Sequence, residues 1–256
     1  MYLKRKISIL LTVSVFLLLA GCGENAQNDD SAIQTDAPHT FAGYPVVYLT
    51  ADISAQGLLS AYEALEPAEN GTVGIKLSET LSDGFSWQDL TVELVQAANA
   101  SIIENNGPET ELSGYENIVV LTHLEPHDTV GFYGTTAHMA SISTQQEDLD
   151  RFASDPDGML QYLAEQGKAA AESVSGPILY IAVLDQWSVG DPAYGGNILA
   201  SYDPVSLDQA CVDLINMTEE CQSLAAHIAV CKGIYTLVNA EQMGWGSRTY
   251  AFLSID

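Results

Sequence analysis

The sequence predicts an α/β fold, with a mostly parallel sheet flanked by helices. Short apolar runs typical of strands alternate along the chain with longer amphipathic segments typical of helices. The strongest strand signal is the run Ile178–Leu184, which holds no charged or amide residue. Because no internal repeat or second linker divides the chain after Tyr44, residues 44–256 are predicted to form a single exported domain.

The elements follow from local signals, in chain order. Strands are predicted at Val46–Leu49, Val73–Leu77, Ser101–Glu104, Ile118–Thr122, Ile178–Leu184 and Arg248–Ile255. Helices are predicted to begin after Ser54, Ser86, Asp155 and Asp203, and at Thr218. Serine and aspartate side chains accept hydrogen bonds from the first helical turn, and proline, which follows both aspartates, is favoured at the first helical position. The last helix is predicted to end near Lys232, with Gly233 just beyond it.

The N-terminus has the features of a bacterial export signal. A basic segment at residues 4–6 precedes an apolar run, Ile7–Leu18, that is too short to span a bilayer. The run leads into Leu-Ala-Gly-Cys, which resembles a lipobox, so that Cys22 would be lipidated and would become the first residue after cleavage. An ordinary signal peptide with an accidental cysteine is the alternative.

The predicted organisation is therefore a signal peptide at 1–21, a lipidated cysteine and flexible tether at 22–43, and the α/β domain. Residues 23–43 are polar and lack periodicity, as flexible linkers do, and His39 is expected to be a solvated residue within them. The expected location is extracytoplasmic, with the protein held to the bacterial cell membrane through the lipid at Cys22.

The charge balance restricts the partners. The chain has 8 Lys+Arg against 34 Asp+Glu, a formal net charge of −26, and three of the cations lie at residues 4–6. Such a surface repels phosphates, which excludes nucleic acid as a partner. It also avoids anionic membrane surfaces, so membrane contact is expected through the lipid anchor alone. A small-molecule or metal ligand remains open, and the sequence identifies no protein partner.

Three further cysteines lie in the domain, at Cys211, Cys221 and Cys231. Cys221 and Cys231 are predicted on one helix, about 15 Å apart, which is too far for a disulfide. Cys211 and Cys221 could meet across the turn between their helices; alternatively, all three are small core residues. No closely spaced cysteine pair is present to support a zinc ribbon or a cysteine-bound cluster.

Polar side chains stand where the predicted strands end. Parallel sheets bind ligands at the carboxyl ends of their strands, and these positions hold Asp52, Lys76, His123 and Asp185. Trp187 and Tyr194, which flank Asp191, could line a pocket for an apolar or sugar-like ligand, or could equally cover the sheet edge. Together with His138, these residues form the predicted ligand crevice. The alternative is that they are ordinary polar loop residues, as most residues after strands are.

A possible metal site overlaps this crevice. The segment after Thr122 is rich in metal-binding residue types, with His123, His127 and Asp128 as the predicted ligands. His138 would be a further ligand if the glycine-rich turn before it folds back. Pro126 prevents the two histidines from sharing a helical face, and the H-E-x-x-H motif is absent. Surface-loop histidines are the alternative, and a divalent metal is the cofactor that this segment favours.

Several enzyme classes lack their motifs. The chain has no G-x-S-x-G, no Walker loop, no G-x-G-x-x-G and no S-x-x-K, so serine hydrolases, nucleotide enzymes and penicillin-binding proteins are unsupported. A long segment rich in glycine, threonine and serine, Gly131–Gln146, has no assignment, and loops of that length are often functional.

Several segments in order along the domain resemble the domain-of-unknown-function 362 family, whose members are described as uncharacterised iron–sulfur centre proteins. They include IVVLTHLEPHDTVGFYG (118–134), ILYIAVLDQWSV (178–189) and GIYTLVNAEQMGWGSRTYAFL (233–253). The most specific blocks are D-P-V-S-L-D-Q-A-C, from Asp203 to Cys211, and G-S-R-T-Y, from Gly246 to Tyr250. The resemblance implies an α/β fold over most of residues 44–256.

The departures from the family pattern argue against an iron–sulfur cluster. The closely spaced cysteines that the resemblance implies after the strong strand are missing, since residues 188–197 contain none. His123 and His127 are kept, but Glu125-Pro126 stands where the family has Lys-Gly. Two functions remain: a ligand- or metal-binding lipoprotein diverged from the family, and a metal-dependent or redox enzyme using His123 and His127. A purely structural lipoprotein is a third possibility, and the sequence does not decide whether the protein is an enzyme.

Overall fold

A computed structural model describes residues 39–67, 72–77, 86–103, 115–124, 155–174, 176–184, 196–218 and 232–256, together with 222, 225–226 and 229. The described residues contain one eight-stranded sheet. The strands are β1 Thr40–Phe41, β2 Tyr44–Thr50, β3 Val73–Leu77, β4 Ser101–Ile103, β5 Asn117–Leu124, β6 Ile178–Leu184, β7 Asn197–Ser201 and β8 Ala251–Ser254. The helices with bounds in this part are α1 Ala55–Ala64, α2 Trp87–Ala97, α3 Pro156–Glu172, α4 Pro204–Met217 and α5 Ile234–Gln242.

The sheet is mixed, so the expectation of a mostly parallel sheet is wrong, although the α/β class is confirmed. Its order is β1-β2-β7-β6-β5-β3-β4, with β8 paired to β2. Strands β3, β4, β5 and β6 pair in parallel, and β8 runs parallel to β2. Strand β7 is antiparallel to both its neighbours, β6 and β2. Sequence analysis did not assign a strand at β7, and that strand reverses the direction at the centre of the sheet.

Each face of the sheet is covered by its own helices. Alternate strand residues point to opposite faces, so Val119, Leu121 and Ile181 pack with α1 and α2. Their neighbours Val120 and Ala182 pack instead with α3, α4 and α5. Complete burial of a leucine or isoleucine side chain contributes about 1.5–3 kcal/mol. The buried strand β6, between two helical layers, therefore lies at the centre of the fold.

The predicted helix starts are confirmed where the structure describes them. Ser54, Ser86, Asp155 and Asp203 each accept a hydrogen bond from the backbone three residues later. The helix predicted from Thr218 lies mostly outside the described residues, as do Cys221 and Cys231. Gly233 was expected just beyond the end of that helix; it lies in a turn with Lys232 and directly precedes α5. Cys211 is a fully buried free cysteine, as the core alternative predicts.

The folded chain begins before Tyr44, inside the segment that was expected to be a tether. Strand β1 forms an antiparallel pair with β2, and the Val46 N–H donates to the His39 carbonyl at 3.0 Å. The His39 ring stacks on Tyr202 with 4.6 Å between the ring centroids, and its Nδ1 lies 3.4 Å from the Tyr48 hydroxyl. The expectation that His39 is a solvated tail residue is therefore wrong.

The packing of His39 predicts that the β1–β2 hairpin loosens in acid. Burial lowers the pKa of the His39 imidazole below 6.5, and the Glu66 carboxylate offsets this in part. Because the folded state favours the neutral ring, this contribution to stability is present above pH 6.5 and is lost as the pH falls below it. Tyr48 and Tyr202, whose pKa values burial raises, do not titrate in that range.

The measurement is the protection of the Val46 amide against hydrogen exchange, from above pH 6.5 down to about pH 5. As the pH is lowered, protection is expected to decrease in the wild type. It should stay constant in His39→Phe, which keeps a ring without a titrating nitrogen. The same decline in both proteins would contradict this reading.

Candidate functional site

The carboxyl ends of the parallel strands lie together at one edge of the sheet. The register pairs Leu77 with Leu121, and Leu124 with Leu184. Of the residues predicted to lie at this edge, Asp52, Lys76 and His123 are described. The remaining predicted site residues lie outside the described part of the chain: Cys22, His127, Asp128, His138, Asp185, Trp187 and Asp191.

Asp52 shapes the loop that joins β2 to α1. Its carboxylate accepts a hydrogen bond from the Ser54 N–H at 3.0 Å, and its own N–H donates to the Thr50 hydroxyl at 3.0 Å. The Thr50 hydroxyl in turn donates to the carboxylate of Asp256. Asp52 is exposed, and these bonds account for its position, so the structure gives it the role of a turn residue.

Lys76 and Thr122 share the face of the sheet that packs on α3 and α4. Lys76 lies opposite Val120 in the neighbouring strand, and Thr122 comes two residues later, so both side chains point the same way. Lys76 is 3% exposed and Thr122 is 5% exposed. The Thr122 hydroxyl is buried and has no hydrogen-bond partner among the described residues. Their Cβ atoms are roughly 7 Å apart, within reach of a lysine side chain.

His123 lies on the opposite face of the same edge. Its ring packs edge-on against Trp87, at the start of α2, with 6.1 Å between the centroids. His123 is 5% exposed. Because successive residues of a strand point to opposite faces, the sheet separates His123 from Lys76. The residues of the predicted crevice therefore lie on opposite faces of the sheet. Lys76 shares its face with Thr122, which was not predicted as a site residue, and His123 packs against Trp87 on the other face.

The described residues contain no group of three or more histidine, cysteine, aspartate or glutamate side chains that could hold a metal ion. The metal site predicted at His123, His127 and Asp128 depends on two residues outside the described part, so it stays a prediction.

A partly buried polar network at the opposite edge of the sheet was not predicted from the sequence. Asp203 was expected only to cap α4, yet its carboxylate accepts both the Ser206 N–H, at 2.9 Å, and the Ser247 N–H, at 3.0 Å. The Ser206 hydroxyl donates to the Ser247 carbonyl at 2.6 Å. Burial raises the pKa of the Asp203 carboxyl, and these backbone bonds partly offset the effect. A Cβ at Gly246 would lie 2.3 Å from Asp203 Oδ1, so the turn requires glycine.

The network continues along α4. The Tyr250 hydroxyl donates to Asp213 at 2.8 Å, and the Gln209 amide donates to the same carboxylate at 2.9 Å. Arg248 Nε donates to the Gln209 side-chain oxygen at 2.9 Å. Burial, with Asp213 close by, raises the pKa of Tyr250. The network joins the two sequence blocks 203–211 and 246–250, and its bonds hold the segment just before β8 against α4. The distinctive residues of these two blocks are the sequence signal that could have revealed the network.

No family model, no curated protein and no solved structure matches this chain. The resemblance to the domain-of-unknown-function 362 family therefore stays a prediction. Within the described part of the chain, no helix is long and apolar enough to cross a membrane.

Proposed function

We propose that this protein is a membrane-anchored, extracytoplasmic bacterial lipoprotein that binds a small organic anion, a carboxylate or a phosphate ester, at the carboxyl edge of its sheet. One observation carries the proposal: Lys76 is buried to 3% exposure near the end of β3, on the same face as the buried Thr122 hydroxyl. An ammonium and a hydroxyl are the donors that such an anion requires.

The scarcity of cations strengthens the argument. Beyond residues 4–6 the chain has five Lys and Arg residues against 34 acids. Lys168, which is half-buried, donates to the Met243 carbonyl, and Lys232, which is exposed, pairs with Asp157. Lys76 is the described lysine that lies inside the sheet, at the edge where parallel α/β sheets bind their ligands. Because Lys76 and Thr122 are buried, the ligand would be enclosed.

The competing function, a metal-dependent enzyme at His123 and His127, is favoured by the burial of His123 beside Trp87 at this same edge. It requires ligands from outside the described residues. The anion proposal needs only residues that the structure places together.

The test uses the full-length protein in mild detergent. Thermal shift and calorimetric titration are run with small dicarboxylates, phosphomonoesters, Zn²⁺ and Mn²⁺. We expect one anion class to raise the melting temperature, and Lys76→Met to weaken its binding at least tenfold, since a charged hydrogen bond contributes about 1.5–3 kcal/mol. The matched control, Lys232→Met, removes an exposed lysine and should bind as the wild type does.

Anion binding that survives Lys76→Met in a folded protein would overturn the proposal, as would the absence of binding across the anion panel. Metal binding that is lost in His123→Ala, without anion binding, would favour the enzyme instead.

A further inference from the structure

A second group of side chains gathers at the amino-terminal edge of the sheet, away from Lys76. We call it the aromatic cluster: His39, Tyr48, Tyr62, Glu66 and Tyr202. Tyr48 lies on β2, Tyr202 directly follows β7, and Tyr62 and Glu66 belong to the end of α1 and the turn after it. His39 stacks on Tyr202 and meets Tyr48 edge-on, with 6.3 Å between those two ring centroids. His39, Tyr48 and Tyr202 thus bring together three rings from three segments of the chain, and Tyr62 lies near enough to contribute to the raised pKa of Tyr202.

The cluster carries a negative charge, and no ion pair between described residues neutralises it. The charge of Glu66 acts on Tyr48 and Tyr202, where it adds to burial in raising the pKa of each phenol. Glu66 itself is exposed. The ion pairs of Lys168 with Glu172 and of Lys232 with Asp157 do not involve Glu66. The field at these rings therefore favours a positive charge.

The backbone is strained on both sides of the cluster. His39 has a φ of 75° and Glu66 has a φ of 46°, in the left-handed region that residues other than glycine seldom adopt. Such conformations cost about 1–3 kcal/mol each and tend to occur at functional sites. Here the two residues in this conformation are the ones that supply the imidazole and the carboxylate of the cluster.

We propose that the aromatic cluster binds a small methylated ammonium ion, of the quaternary ammonium class. The faces of aromatic rings attract cations, and a neighbouring carboxylate adds to the attraction. An ion without N–H groups needs no hydrogen-bond acceptors, which suits a site that offers ring faces and one carboxylate. His39, Tyr48 and Tyr202 are only half-buried, so part of each ring is accessible. The net charge of −26 draws cations towards the protein, which favours a cationic ligand at this cluster.

The experiment is a calorimetric titration of the full-length protein in detergent with choline and with its neutral carbon analogue, 3,3-dimethylbutan-1-ol. We expect choline to bind at least about fivefold more tightly than the alcohol. Glu66→Gln, at an exposed position, and Tyr202→Leu should each weaken choline binding about fivefold. Tyr44→Leu removes an exposed tyrosine of the same strand β2 that lies outside the cluster, and it should leave the affinity unchanged.

Equal affinities for choline and the alcohol would overturn the proposal, as would choline binding that Glu66→Gln leaves intact. Glycerophosphocholine separates the two sources of the ligand: weaker binding than choline assigns the site to a free cation, and tighter binding assigns it to a lipid headgroup. Lys76→Met should leave choline binding unchanged, which keeps this test independent of the anion site.

Discussion

Gly57→Ala is expected to destabilise the protein by about 3 kcal/mol, although alanine is the better helix former by about 1 kcal/mol. Gly57 lies in the first turn of α1, where the chain doubles back on the loop after β2. A Cβ on this residue would lie 1.7 Å from the carbonyl oxygen of Asp52, and main chain would have to move to make room. The measurement is the free energy of unfolding by denaturant titration.

Gly158→Ala is the matched control. Gly57 and Gly158 each donate their N–H to the capping side chain three residues earlier, Ser54 or Asp155. At Gly158 the nearest atom to an added Cβ is Oδ2 of the exposed Asp155 side chain, which can turn away. Its substitution should cost about 1 kcal/mol, the value of a weakened cap. Equal losses in the free energy of unfolding at the two glycines would contradict the prediction, because the close approach of the added Cβ to the Asp52 carbonyl would then cost nothing.

Asp203→Ala is expected to lower the free energy of unfolding by about 2–3 kcal/mol. The change leaves two partly buried backbone donors, the N–H groups of Ser206 and Ser247, without their acceptor. Each unsatisfied buried group costs about 1–3 kcal/mol. Asp155→Ala is the control, because Asp155 has the same Asp-Pro start but is exposed and, among the described residues, accepts only the Gly158 N–H. Its loss should be about 1 kcal/mol, and a larger loss there than at Asp203 would contradict the network.

The pH dependence of the Asp203 effect has a definite sign. Burial raises the pKa of this carboxyl in the folded protein above 3.8. A raised pKa means that folding favours the protonated acid. The contribution of the Asp203 carboxyl to stability is therefore fully present below pH 3.8, and it falls as the pH rises through the pKa of the folded protein. The stability difference between wild type and Asp203→Asn should therefore shrink with rising pH over that range.

For the candidate sites, the sequence predicted which residues lie near the strand ends but not which of them lie together. Lys76 and His123 were placed correctly near the ends of their strands, because the strand runs around them are apolar and locally readable. Which face each side chain occupies depends on register, which pairs Lys76 with Val120 and His123 with Val183. The sequence therefore could not show that the sheet separates them, nor that Lys76 has Thr122 as its neighbour.

The sequence by itself determined the elements whose causes are local: the capped starts of α1, α2, α3 and α4, and the apolar strands β3, β5 and β6. Capping bonds and side-chain periodicity act within a few residues, so they can be read directly from the chain. Only the tertiary structure decided the direction of β7, the stacking of His39 on Tyr202 and the bond from Ser247 to Asp203. Each of these joins segments far apart in the chain, and its energy comes from a partner that no local pattern specifies.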